Sequence, residues 1–140
     1  MAYATREDIE LAYGEELLHI LADRDDGGSV DTESVDRALV DASAFIDGYL
    51  GSRYTVPITP TPAILKRYAV DVAVHYLADR AGVNTDERRQ RYTDAVRFLE
   101  RVAEGKLSLG ASTPPPTSGN NTAQIASADR VFTRDNMKDF

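Results

Sequence analysis

Residues 41–57 read DASAFIDGYLGSRYTVP, a run that begins as helix and ends as something else. Working back from it, Val35, Ala38, Leu39, Ala42, Phe45, Ile46, Tyr49 and Leu50 recur at helical spacing. At 3.6 residues per turn they fall within an arc of about 140°, one apolar face of an amphipathic helix. Asp36, Arg37, Asp41 and Asp47 lie outside that arc, and Val40 is the apolar residue on the wrong side. Gly51 is read as the stop, supplying the left-handed conformation that ordinary residues avoid. Beyond it, residues 52–62, SRYTVPITPTP, hold three prolines among β-branched residues. That composition forbids a helix and favours an extended arm, in the form of an edge strand or hairpin. Arg53, Tyr54, Val56 and Ile58 on this arm are candidate contacts to a neighbouring subunit, and so is Val40.

The arm gives way to a second helix, with Thr61 as its cap and Pro62 in its first turn, running to about Arg80. This helix is apolar on two sides. Ile64, Leu65, Tyr68, Val72 and Tyr76 form one face, and Val70, Val74 and Leu77 a separate stripe. A helix apolar nearly all round is the centre of a bundle or is shared with another subunit, so Val70, Val74 and Leu77 join the candidate contacts. Gly82 and Asn84 break the chain, and Thr85 caps a third long helix that runs to Glu104, with Gly105 as its terminal glycine. Tyr92, Ala95, Val96, Leu99, Val102 and Ala103 form its buried stripe. Its basic run at 87–91, ERRQR, lacks interleaved aromatics for stacking bases. Arg97 and Arg101 are read as pairing with Asp94 and Glu104 along the surface.

Upstream, Thr5 caps a short helix through Tyr13 that opens on acids, and Glu15–Ala22 forms another after Gly14. The loop DRDDGGSVD at 23–31 invites comparison with a calcium-binding helix–loop–helix. Asp23, Asp25 and Asp31 fall at loop positions one, three and nine and Gly28 at six, but position five is Gly27 and position twelve is Ser34. Two missing carboxylates favour a plain glycine-rich turn in which Asp31 caps the next helix. His19 and His75 are scattered among apolar residues and read as packing or surface residues.

The composition supports one soluble domain with a tail. The chain has 140 residues, 42% of them hydrophobic, no cysteine and a formal charge of −7. No membrane span or signal peptide is visible. The charge is uneven. Residues 1–47 carry thirteen acids against three bases, whereas 48–105 carry nine bases against seven acids. Such a split suits contacts between copies of the chain better than general nucleic-acid binding. Residues 110–128, GASTPPPTSGNNTAQIASA, read as a flexible linker. The final segment 129–140, DRVFTRDNMKDF, regains large side chains. Arg130, Val131, Phe132, Arg134, Met137 and Phe140 mark it as a docking segment. Phosphate-loop, zinc-protease and nucleophile motifs are missing, so the expectation is no enzyme, no cofactor and no metal site.

Taken in their joint order, three stretches resemble one family. DASAFIDGYLGSRYTVP, the helix carrying KRYAVDVAVHYLADR, and the closing DRVFTRDNMKDF are similar to the Mu-like tailed-phage head–tail adaptors. The resemblance covers essentially the whole chain. It implies a virion protein of the neck, made in the host cytoplasm, that forms a ring, dodecameric in its relatives, beneath the portal. That ring would extend the DNA channel, let DNA pass without reading its sequence, and present a surface to the next neck protein. The tail would reach the portal protein or an adjacent subunit. The alternative is a helical DNA-binding or regulatory module using residues 87–101. In either case the expected fold is all-α. A compact bundle of four to five helices would span 1–109, with the Pro-rich arm between its long helices and the tail beyond.

Overall fold

The computed structural model describes residues 2–24 and 29–110. Within them lie five helices: α1 (Arg6–Tyr13), α2 (Glu15–Leu21), α3 (Thr32–Leu50), α4 (Ala63–Ala81) and α5 (Asp86–Ala103). A two-residue hairpin, β1 (Asp23–Arg24) antiparallel to β2 (Ser29–Val30), links α2 to α3, with Asp23 opposite Val30. The expected all-α bundle is therefore present. The linker and docking segment expected over 110–128 and 129–140 lie, but for Gly110, outside the described residues.

Local chemistry sets the helix starts. Thr5 accepts from the Asp8 amide while the Asp8 carboxylate accepts from the Thr5 N–H, at 2.8 Å, a reciprocal capping box. Asp31 caps α3 by accepting from the Ser34 N–H, and Thr85 caps α5 by accepting from the Arg88 N–H. Gly82 closes α4 at φ 70°, and the Val83 N–H reaches back to the Ala78 carbonyl at 3.0 Å.

Two expected boundaries are corrected. Gly51 is right-handed, at φ −60°, so it does not stop α3 by a left-handed turn. The helix ends instead because the Arg53 and Tyr54 amides both bond the Leu50 carbonyl, at 2.9 and 2.8 Å. That tightened turn drives the Tyr54 ring into the core. Pro62 is the N-cap of α4 rather than its first helical residue, since its ψ of 142° is still extended.

α4 is the centre of the bundle. α3 and α5 pack on it and on each other, while α1 and α2 cover its remaining side. Its buried set runs through Leu65, Ala69, Val70, Val72, Ala73, Val74, Leu77 and Ala78. The alanines let neighbouring helices approach closely. Each fully buried Leu, Ile or Val side chain contributes roughly 1.5–3 kcal/mol. The second apolar stripe on α4 is thus used within the subunit. Among the described residues no helix is long and apolar enough to cross a membrane, and no buried side-chain polar atom lacks a hydrogen-bond partner.

Candidate interaction surfaces

The segment 52–62 is lashed to the domain. No strand forms there, and the peptide bonds before Pro57 and Pro60 are cis. Ile58 is fully buried, and its N–H donates to the Tyr3 hydroxyl at 3.0 Å. The same hydroxyl donates to Asp47 on α3, and the Tyr3 N–H donates to the buried Ser43 Oγ at 2.8 Å. The Ser43 hydroxyl in turn donates to the Leu39 carbonyl at 2.9 Å. Tyr3 therefore joins the N-terminus, α3 and the proline segment in one network. Burial first, and the Asp47 bond second, push its phenol up to about 12.

Tyr54 does similar work at the other end. Its ring is buried and its hydroxyl accepts the Leu109 N–H at 3.4 Å, fixing the chain as it leaves α5. Beside it, Gly105 adopts φ 82°, and a Cβ there would overlap the Arg53 guanidinium. Arg53 and Val56 are half-buried.

The candidate contacts proposed from sequence therefore separate. Tyr54, Ile58, Val70, Val74 and Leu77 are buried in this chain's own core, because α4 is ringed by four helices and the proline segment folds back. Val40 is different. It is 51% exposed and stands on the outer face of α3 with Ala44 and Gly48 at four-residue steps. Asp36 and Asp41 flank this strip without an ion pair among the described residues, while Glu33 is paired with the neighbouring Arg37 at 2.9 Å. The tail candidates Arg130, Val131, Phe132, Arg134, Met137 and Phe140 lie outside the described residues.

Two further surfaces had no clear sequence signal. One is an open cleft of about 300 Å3 where α1 meets α4, lined by Asp8, Leu11, Ala12, Lys66, Arg67 and Val70. Leu11 projects beside it, 87% exposed. Lys66 pairs with Asp8 at 3.4 Å, and Arg67 makes no ion pair among the described residues. Burial pushes the Asp8 carboxyl up, but the Thr5 N–H and hydroxyl and then Lys66 outweigh it and hold it below its ordinary value. Asp71 and Arg91 also line the cleft, and the buried carboxylate of Asp71 accepts from the Tyr13 hydroxyl at 2.7 Å. Burial and this bond push the Tyr13 phenol up to about 12, and Arg91 lies over the Tyr13 ring at 5.1 Å.

The other surface is a groove of about 300 Å3 between α4 and α5, lined by Tyr68, Asp94, Arg97, Phe98, Arg101 and Leu107. The Tyr68 and Phe98 rings sit 4.7 Å apart. The expected pairing of Arg97 and Arg101 with Asp94 and Glu104 is not made. Asp94 accepts from Gln90 at 2.9 Å and Glu104 pairs with Lys106 at 2.6 Å, leaving both arginines without an ion pair among the described residues.

The basic run at the start of α5 is engaged locally. Arg88 donates to the Val83 carbonyl, Arg89 pairs with Asp86 and Arg91 with Glu87. His75 is held too. It stacks on Tyr92 at 4.1 Å, accepts from Asn84 and faces Asp79 at 3.3 Å. Asp31, the loop's ninth position, caps α3, and Ser34, its twelfth, donates its hydroxyl proton to Asp31 at 2.7 Å and accepts from Arg80. Among the described residues no group of His, Cys, Asp and Glu is placed to hold a metal ion, and Asp25, Gly27 and Gly28 lie outside them.

The described residues form a small helical bundle with surface patches of unlike composition. The chain belongs to the family described as Bacteriophage Mu, Gp36, whose profile matches residues 3–127. It is 40% identical over 139 residues to the Mu-like prophage FluMu protein gp36 of Haemophilus influenzae, covering 99% of this chain and 97% of that one. It is also 38% identical over 137 residues to gene product J of Escherichia phage Mu, covering 96% of each.

Proposed function

We propose that this chain is a structural protein of phage morphogenesis, the head–tail connector that forms a ring beneath the portal and extends the DNA channel towards the tail. Membership of a family found in phage Mu and a Mu-like prophage supports the setting. The observation that carries the reading is the outer face of α3. Val40, Ala44 and Gly48 make an exposed strip edged by Asp36 and Asp41, with Arg37 beside it paired to Glu33. A head-to-tail ring needs two different, complementary patches on every subunit. The cleft between α1 and α4, apolar at Leu11 and cationic at Lys66 and Arg67, has the opposite character. The acidic strip of one copy fits the cationic cleft of the next, and a closed ring of about a dozen copies satisfies every patch.

The test is the particle. Disrupting the gene in a Mu-like phage should yield DNA-filled heads that fail to join tails, with the chain present in wild-type virions at roughly the portal's copy number. Infectious particles made without the chain, or virions that lack it, would overturn the reading.

A further inference from the structure

We infer that the groove between α4 and α5 takes a peptide, and that its occupant in the free subunit is this chain's own segment 129–140, anchored by Phe132. Three observations converge. The groove combines a half-buried aromatic pair, Tyr68 and Phe98, with exposed Leu107 and with two arginines that have no ion partner among the described residues. Arg97 and Arg101 stand one helical turn apart, so their guanidiniums can bracket a single inserted side chain. The segment DRVFTRDNMKDF carries acids for these arginines, Asp129 and Asp135 three residues to either side of Phe132, together with Arg130 and Arg134 nearer to it, for which the groove offers Asp94.

The third observation is position. Leu107 lines the groove, and Gly110, the last described residue, follows three residues later. The tether of residues 111–128 spans at most about 60 Å when fully drawn out, so the segment begins its search beside the groove. Tethering of this kind gives an effective concentration on the order of millimolar, so an intrinsic affinity of about 0.1 mM keeps the groove ~90% occupied. The inference is independent of the connector reading. It describes what the free chain does with an arginine–aromatic groove.

The full chain has no cysteine, so a single Ser127→Cys substitution places one nitroxide label two residues before the segment. Paramagnetic loss of amide signal in the full-length protein should concentrate on Arg97, Phe98, Arg101 and Leu107 and spare Val40 and Ala44. Phe132→Ala should abolish the loss, as should Arg97→Glu with Arg101→Glu. Adding Asp129→Arg and Asp135→Arg to the arginine variant should restore it. Arg97 and Arg101 are exposed, and circular dichroism of each variant checks that the bundle is intact. Three outcomes overturn the inference: no localised loss, loss that survives Phe132→Ala, or loss seen only between separately labelled and isotope-enriched chains.

Discussion

Tyr3 shows how much one side chain can hold in this protein. Its amide, its hydroxyl oxygen and its hydroxyl proton bond two different elements: α3 at Ser43, the proline segment at Ile58, and α3 again at Asp47. Tyr3→Phe leaves the buried Ile58 N–H without an acceptor, which costs about 1–3 kcal/mol. The expected result is a lower urea midpoint with an unchanged slope, and faster hydrogen exchange at Ile58 than elsewhere in the core. Conserved exchange at Ile58 would show that the network is dispensable. The phenols also set an alkaline limit. Tyr3, Tyr13 and Tyr76 are raised from 10.0 to about 12, each chiefly by burial. A folded value above the unfolded one means that the stabilisation is complete below pH 10 and fades as pH rises towards 12. Tyrosinate absorbance should therefore show Tyr3, Tyr13 and Tyr76 titrating late, together with loss of helix. Asp8 acts at the other end, because its lowered value contributes stability above its ordinary 3.8 that is lost as pH falls through the folded value.

At the scale of the element, α4 decides stability and the proline segment decides shape. Leu65→Ala empties a fully buried site at the helix start and should cost about 2–5 kcal/mol, whereas Leu11→Ala on exposed α1 should stay within about 0.5 kcal/mol. Thermal unfolding of the two variants separates a core helix from a docking surface. The helices were legible because period and caps agree: Thr5, Asp31 and Thr85 precede apolar runs and all three accept the expected amide. The fate of residues 52–62 was not legible. Prolines exclude helix, but whether an extended segment stays free depends on distant partners, here Tyr3, 55 positions from Ile58. The second stripe of α4 was ambiguous for the same reason, since sequence shows that Val70 and Val74 need cover without showing that α1, α2, α3 and α5 all supply it. The groove went unseen because Phe98 lies off the buried stripe of α5 and its partner Tyr68 is thirty residues away.

For the whole molecule the question is how copies meet, and charge gives a way to ask it. In the proposed ring the acidic α3 strip of one subunit meets Lys66 and Arg67 of the next. All four charged side chains are accessible in the free chain, so reversing them leaves the core untouched. Asp36→Lys with Asp41→Lys should place like charges across every junction. So should Lys66→Glu with Arg67→Glu. Like-charge juxtaposition at an interface costs several kcal/mol, repeated at each junction of a closed ring. Either double variant, supplied to a phage lacking the natural gene, should fold normally and yet leave heads without tails. The quadruple variant restores opposite signs across the junction and should recover tailed, infectious particles. Recovery by the quadruple variant alone would assign the two patches to each other, because neither a folding defect nor the loss of an unrelated partner is repaired by a second reversal on a different helix. If both doubles assemble as well as the natural chain, the strip and the cleft do not meet, and the ring must close through another pair of surfaces.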